Sequence, residues 1–288
     1  MRLRVRHRTT YRYGQPVDMA THMLHLSPRP LPHQRVLHES LSSTPAAARV
    51  TGGLDHFGNR TAWMFLNSEH ERFEVLSEAT VEVRFPDPPA ADATPAWESV
   101  AALAPRTADV AEFLFPSPMV EIGEAARDFA AASFPPGRPV LAGLLDLNGR
   151  FRREFAFRSG VTTIATPVEE VLRRRQGVCQ DFSHVMIAGL RALGLPARYV
   201  SGYLRTYPPP GQPKRQGADM SHAWVGAWLG PEHGWVDLDP TNDLVVREEH
   251  VVLGWGRDFG DVSPLRGVIL GGGRHSLDVA VDLEPVEG

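Results

Sequence analysis

Apolar and polar positions alternate from the first residues of the chain. One parity carries Leu3, Val5, Thr9, Tyr11 and Tyr13, and the other carries arginines at positions 2, 4, 6, 8 and 12. A period of two is that of a β-strand with one buried and one solvated face. The pattern therefore predicts an N-terminal strand whose arginine row faces water.

A second alternating segment lies between positions 73 and 85. Its apolar positions are Phe73, Val75, Ala79, Val81, Val83 and Phe85, and Glu74, Glu78, Glu82 and Arg84 lie between them. The run Asp55-His56-Phe57-Gly58-Asn59 is typical of a turn between strands. Together these segments predict an antiparallel sheet or small sandwich over residues 1–86.

Composition then suggests how the chain divides. Residues 86–96 read PDPPAADATPA, which is typical of a linker. We place an N-terminal β region at 1–86, a linker at 87–104 and a second domain at 105–288. The second domain is expected to close with a strand at about 275–285, where Leu277, Val279, Val281 and Leu283 alternate with mostly charged positions.

The second domain shows helices first and strands afterwards. Helical spacing precedes Pro135-Pro136, and Thr166-Pro167 predicts the start of a helix that reaches about Arg175. A further helix is expected from Cys179 to the Gly194 stop, followed by strands at 197–204, 223–229 and 234–238. This order predicts an α+β fold. The run 150–158 is ambiguous, and the loop 205–219 is long enough to cover a cleft.

Composition and charge narrow the class of protein. Hydrophobic content is 42% and charged content 22%, with a formal net charge of −4, which favours a soluble globular protein over a nucleic-acid or membrane binder. We read the arginine row as a solvated strand face rather than a nucleic-acid patch, because no aromatic residue is interleaved on it. The charged N-terminus and the single cysteine favour a cytoplasmic location.

The single cysteine is the strongest chemical signal. Cys179 lies in the run GVCQDF, at the predicted start of a helix. Unpaired N–H groups and the positive end of the helix dipole favour a thiolate there, and the same groups could bind an oxyanion. The alternative is a buried structural thiol. The later histidine and aspartate motifs favour a nucleophile.

His222, in SHAWV, is the candidate base, and Asp239, in WVDLDPT, is the candidate carboxylate that orients it. His184 is the main competitor for the base, but it lies about 140° around the helix from Cys179. His233 lies in a turn. Asp237 shares a strand face with Asp239, and spacing separates the two only weakly.

These motifs resemble a known family. The runs GVCQDFSHVMIAGLRALGLPARYVSGYL, SHAWV and GWVDLDPTN resemble the transglutaminase-like superfamily over residues 165–243. The runs HRTTYRY, DHFGN and GRDFGDVSPLRGVILGGGRHSLDV resemble its bacterial cysteine protease branch, which has an extra N-terminal β region. The resemblance implies a papain-like core with a triad of Cys179, His222 and Asp239, the last being the aspartate of the family's DPT motif.

The resemblance also has limits. Animal transglutaminases need calcium, yet no clustered carboxylate loop is present here. They also use a tryptophan upstream of the cysteine to stabilise the oxyanion, whereas the nearest upstream tryptophan in this chain is Trp97, across a helical segment. No metal motif occurs, so we expect neither a metal nor a cofactor. Asp181 and Trp224 are candidate substrate-binding residues, although complementing the helix dipole and packing the core are the alternatives for them.

The sequence thus predicts a thiol enzyme that acts on peptide or isopeptide amides through a thioester, resolved by water or by an amine. The family resemblance adds partner proteins from peptide-modifying clusters, such as ATP-grasp-like ligases. The alternative function is a non-catalytic binding module that keeps the fold.

Overall fold

The computed structural model describes residues 1–207, 217 and 219–286. Two antiparallel sheets and a group of helices make up this part of the chain. The N-terminal sheet contains β1 (Arg2–Leu24), β2 (Gln34–Thr44), β3 (Arg49–Leu54), β4 (Arg60–Leu66) and β5 (His70–Val83).

The 23-residue strand β1 organises the N-terminal sheet. On one side it pairs with β5 along its first half and with β4 along its second half, giving the order β2-β5-β1-β4-β3. The predicted alternation is confirmed, because Leu3 and Val5 are buried while Arg4 and Arg6 reach outward. Arg4 pairs with Glu284 at 2.7 Å, so cross-strand carboxylates partly neutralise the arginine row.

The C-terminal strands join this same sheet. They are β13 (Leu265–Gly271) and β14 (His275–Pro285), which pair with the second and first halves of β1. The strand expected at 275–285 is therefore present, but it pairs along its length with β1 of the N-terminal region, and Asp219 of the second domain makes one isolated bridge to it at Val281. Alternation reports which face is buried and carries no information on the pairing partner.

The segment predicted as a linker, 87–104, is packed in its second half. It contains helix α1 (Trp97–Leu103), and Val100 and Ala104 belong to the main apolar core. The proline- and alanine-rich composition suggested a free connection. Small apolar side chains can also pack closely against a core, and here they do.

The helices after α1 are α2 (Ala108–Ala111), α3 (Glu124–Ala131), α4 (Val140–Glu154), α5 (Val168–Arg174) and α6 (Cys179–Ala192). Helix α4 contains residues 150–154 of the run 150–158, which the sequence left ambiguous. Its Leu141, Leu144 and Leu147 are buried in the main core, and the helix contacts α6 and β10. Among the helices of the described ranges, none has the length and apolar character that a membrane crossing requires.

The second sheet holds the remaining long strands. These are β8 (Ala197–Leu204), β9 (Met220–Trp228), β10 (Trp235–Asp239), β11 (Leu244–Val245) and β12 (His250–Gly256), in the order β11-β10-β9-β8-β12. A parallel bridge joins β6 (Ala156–Phe157) and β7 (Gln176–Gly177) just before α6. The α+β class predicted from the sequence is confirmed.

The second sheet lies between the helices and the N-terminal sheet. Val225 and Ala227 of β9 pack into the main core with α6, whereas Tyr203, Val251 and Leu253 pack against Leu3, Val5 and Val81 of the N-terminal sheet. A second buried apolar cluster, distinct from the main core, therefore joins the N-terminal sheet to the second sheet.

Candidate functional site

Cys179 is the first residue of α6, as the sequence predicted. The preceding residue Val178 is extended, and its N–H donates to Asp181 Oδ2 at 2.7 Å, while Thr162 Oγ1 donates to the same oxygen at 2.7 Å. A Cβ added at Gly177 would come within 2.6 Å of Asp181, so only glycine fits beside this carboxylate. Asp181 thus fixes the turn that presents Cys179 at the helix start.

His222 lies on β9 and Asp239 ends β10, the neighbouring strand. His222 Nε2 lies 2.8 Å from Asp239 Oδ2, and both residues are buried. The Cys179 side chain lies near enough to the His222 ring to raise the pKa of the imidazole. Since Nε2 faces Asp239, Nδ1 is the ring nitrogen left for the sulfur. The structure therefore brings the three predicted residues together in the order Cys179, His222, Asp239.

The electrostatics of His222 follow from these contacts. Burial alone would lower its pKa, but the hydrogen bonds to Asp239 and Cys179 outweigh burial and raise the pKa to about 10. The imidazole therefore favours its protonated form in the neutral range. A protonated His222 between a carboxylate and a thiol stabilises the thiolate.

Asp239 is held by a dense set of donors. Its Oδ1 accepts the backbone N–H groups of Thr241 and Asn242 at 2.9 and 3.2 Å, and its Oδ2 accepts Asn242 Nδ2 at 2.7 Å. Burial tends to raise the pKa of Asp239, but the bonds from His222, His250 and Asn242 together lower it below its usual range. The DPTN turn thus keeps this carboxylate ionised at a fully buried position.

His250 is a site residue that sequence reasoning missed. It begins β12, is buried, and places Nε2 3.4 Å from Asp239 Oδ2. Its ring meets Trp224 edge-on at 5.2 Å, and its Nδ1 is enclosed without a partner among the residues described. No local motif marks His250, because it reaches Asp239 only through the pairing of β12 with β8. Asn242 was also missed, although DPTN places it three residues after Asp239.

The remaining carboxylate candidate, Asp237, has other partners. Its Oδ2 accepts the indole N–H of Trp224 at 3.1 Å, and Oδ1 lies 3.8 Å from the Arg198 guanidinium. Asp239, two residues further along β10, is the carboxylate that contacts His222. The two carboxylates therefore have different partners, and the catalytic role that the family resemblance implied for Asp239 stays a prediction.

Trp224 and Asp181 have structural contacts. Trp224 is 0% exposed and lies behind His222 at a ring distance of 6.2 Å, so it presents no surface to a substrate in this conformation. Asp181 is 3% exposed and is occupied by the turn before α6. Trp224 packs near the His222 ring, and Asp181 bonds the backbone before Cys179. Substrate contact by either residue remains a prediction.

Other candidates lie away from the triad or have different roles. His184 is buried, accepts the N–H of Phe259 and packs against Tyr199, and burial lowers its pKa to about 4. Trp97 donates to Pro135 O and packs on Phe134. Of the loop 205–219, residues 208–216 and 218 lie outside the described part of the chain, so its role over the cleft stays a prediction.

The cluster of His222, Asp239 and His250 also has the composition of a metal site, with ligand atoms within 4.8 Å of one another. Hydrogen bonds already account for the ligand atoms. A metal-binding histidine usually donates its second N–H to another group, whereas His250 Nδ1 has no such acceptor within the described residues. The donor set therefore fits a hydrogen-bonded triad better than a metal centre.

The family models match two parts of the chain. One, described as the bacterial transglutaminase-like N-terminal region, matches residues 3–82, and one described as the transglutaminase-like superfamily matches residues 136–240. An uncharacterized protein of Mycobacterium tuberculosis is 42% identical over 294 aligned positions, covering 100% of this chain and 94% of the relative.

Two further comparisons concern fold and activity. The crystal structure of a candidate cysteine protease from Cytophaga hutchinsonii covers 100% of this chain and 91% of its own, with a TM-score of 0.77 at 22% identity. This likeness shows a shared fold. A protein-glutamine gamma-glutamyltransferase of Pseudomonas aeruginosa is 41% identical over 68 residues, which are 23% of this chain and 10% of that protein. By its motifs, its fold and its relatives, the chain belongs to the transglutaminase-like superfamily, with the N-terminal region of the bacterial branch.

Proposed function

We propose that this protein is a thiol enzyme that acts on peptide or isopeptide amides through Cys179, His222 and Asp239. The observation that carries the proposal is the contact series in which Cys179 meets His222 and His222 meets Asp239 at 2.8 Å. A structural thiol would have no need of a buried imidazole whose pKa is raised to about 10.

The reaction follows from the positions of these groups. The Cys179 sulfur attacks the amide carbon, and the carbonyl electrons move to oxygen, where N–H groups of the first turn of α6 can bind the oxyanion. His222 donates its proton to the leaving amine, the C–N bond breaks, and a thioester forms. His222 then takes a proton from water or an incoming amine, which attacks the thioester carbon. The C–S bond breaks, the sulfur of Cys179 is freed as the thiolate beside the protonated His222, and an acid or a new amide is released.

Asp239 keeps the imidazole oriented and balances its positive charge through this cycle. Its backbone donors at Thr241 and Asn242 hold the carboxylate still.

The choice between water and an amine as acceptor decides between amidase and transferase activity. We propose a peptide or protein substrate and partner proteins from a peptide-modifying cluster. We also propose a cytoplasmic location, which cell fractionation tests.

The first test is alkylation of Cys179 by iodoacetamide, followed by intact-protein mass spectrometry across pH. We expect fast alkylation of the wild type at pH 6 to 7 and a rate at least about tenfold lower in His222→Ala, because the variant loses the cation that stabilises the thiolate. His38→Ala is the matched control, since His38 is an exposed histidine of β2.

Equal alkylation rates in the wild type and His222→Ala would refute the activated pair. A thiol that reacts only after unfolding would instead favour the non-catalytic binding module. With an activated thiol established, peptide amides are incubated with and without a primary amine, and acyl-enzyme mass and product mass distinguish hydrolysis from transfer.

A further inference from the structure

A cavity of about 580 Å³ lies between the N-terminal region and the edge of the second sheet. Its walls come from the segments Leu31–His33 and Phe85–Pro89, from the region of α2, and from β10 and β12. None of Cys179, His222 and Asp239 lines it. Its size lies within the roughly 300–1,000 Å³ of small-molecule pockets, and its lining is rich in aromatic and proline side chains.

Arg198 of β8 is the arginine that lines this cavity. Its guanidinium lies between the rings of Trp235 and Trp255, at 4.4 and 3.8 Å from their centroids, and the residue is 9% exposed. The nearest carboxylate oxygen, on Asp237, is 3.8 Å away, which is too far for a direct hydrogen bond. Within the described residues Nε is enclosed and unpartnered. The aromatic faces thus hold a planar cation whose donors are largely unused.

His33, another residue that lines the cavity, also has a ring nitrogen that is unpaired in the described part of the chain. His33 stacks on Phe85 at 4.2 Å, and its Nε2 is enclosed without a partner among the residues that the structure describes. His33 and Arg198 come from elements far apart in sequence and both line the cavity. Buried polar groups normally have partners, so an Arg198 guanidinium that lines an aromatic cavity without a hydrogen bond among the described residues indicates a missing acceptor.

The charge distribution indicates what that acceptor is. Burial lowers the pKa of Arg198 to about 10, and Asp237 only partly opposes this effect, so the side chain is a costly cation in the neutral range. A guanidinium fork matches a carboxylate with two parallel hydrogen bonds.

Two other carboxylates that line the cavity have cationic partners of their own. Asp87 pairs with Arg247 at 2.5 Å, and Glu112 pairs with His56 at 2.9 Å. Asp109 is exposed. Asp237 also lines the cavity, at 3.8 Å from Arg198, so a ligand carboxylate would compete with Asp237 for the guanidinium, but not with Asp87 or Glu112.

We propose that this cavity binds a small carboxylate with an aromatic or apolar body, such as an amino acid or the C-terminal end of a short peptide. The carboxylate lies on the Arg198 fork, and the body packs against Phe57, Phe85 and Phe113. The site is separate from the triad, and it stands whether or not the proposed function holds.

The test compares N-acetylphenylalanine with its primary amide, two probes that differ in charge and match in shape. Binding to the folded chain is followed by ligand-observed NMR and by the fluorescence of the tryptophans that flank Arg198. We expect the acid to bind the wild type at least about tenfold more tightly than the amide. Arg198→Lys should reduce this preference, because lysine keeps the charge and loses the bidentate fork. Arg35→Lys, at an exposed arginine of β2, is the matched control.

Equal affinity for the two probes, no saturable binding of the acid, or an unchanged preference in Arg198→Lys would each overturn the proposal. If Arg198→Lys does not fold, Phe85→Ala replaces it as the test. That variant removes the aromatic wall and should weaken the acid and the amide by the same factor, while the preference for the acid remains. An acid affinity that Phe85→Ala leaves unchanged would place binding outside the cavity and refute the site.

Discussion

At the scale of single residues, the site depends on one buried carboxylate that serves two histidines. Asp239 is fully enclosed and accepts from His222 at 2.8 Å and from His250 at 3.4 Å. A buried carboxylate without enough donors would take up a proton, and it would then no longer balance an imidazolium. His250 therefore acts on His222 through Asp239 as a positioning residue.

Replacing His250 tests this role. His250→Leu removes one donor from Asp239, so the pKa of the carboxylate should rise and the protonated form of His222 should become less favourable. We expect the alkylation rate of Cys179 at pH 6 to 7 to fall about three- to tenfold, which corresponds to about 1 kcal/mol for one hydrogen bond. His250→Gln, which keeps an N–H donor, should recover part of the rate. A loss of thermal stability with an unchanged alkylation profile would show that His250 is structural only.

At the scale of elements, two side-chain amides join the N-terminal region to β12. Gln34 pairs with both backbone groups of Val252, at 2.8 and 2.7 Å, as a neighbouring strand would. Asn59, from the turn that the DHFGN motif predicted, does the same for Trp255 at 2.9 and 2.7 Å. A Cβ at Gly254 would come within 2.6 Å of Asn59, so glycine is required where the amide enters. The turn was predictable from the motif, but its contact with β12 was not.

Loss of the Asn59 amide should weaken this junction. Asn59→Ala leaves the Trp255 N–H and C=O buried and unpaired, and it also removes bonds to Asp55 and Arg29. We expect the free energy of unfolding to fall by about 2–4 kcal/mol, measured by urea denaturation. Asn67→Ala, at an exposed asparagine after β4, should change it by less than about 0.5 kcal/mol. A small effect at Asn59 would mean that water replaces the amide without loss.

At the scale of the whole molecule, buried histidines in different parts of the fold couple its stability to pH. Burial lowers the pKa values of His7, His22 and His184 to about 4. His7 lies in the N-terminal sheet against Tyr203, His22 stacks on Phe73 at 4.3 Å, and His184 lies in α6. Between pH 6.5 and 4 the unfolded chain binds protons that the folded chain does not, so stability falls as the pH falls through this window.

His22 is the clearest test, because both ring nitrogens are enclosed without a partner among the described residues. His22→Phe keeps the stack on Phe73 and removes the titrating group. We expect the variant to gain about 1–3 kcal/mol over the wild type at pH 5 and much less at pH 8, measured by urea denaturation at both values. His38→Phe, at an exposed position, should show no such pH-dependent gain. A gain of equal size at both pH values would point to packing rather than titration.

Local patterns in the chain determined several features by themselves. Period-two alternation predicted β1 and β5. Proline, glycine and helical spacing predicted α5 and α6, and β8 was expected directly after the stop of α6. The motifs around Cys179, His222 and Asp239 identified the candidate triad, because the helix start and the DPT turn are local features that short sequences encode.

Only the tertiary structure decided the rest. The pairing of β13 and β14 with β1, the packing of α1 into the core, and the approach of His250 to Asp239 each join residues that are far apart in sequence. The cavity around Arg198 likewise forms from segments of both halves of the chain. Periodicity shows which face of an element is buried, whereas the partner of that face depends on the global register and on packing, which no local segment encodes.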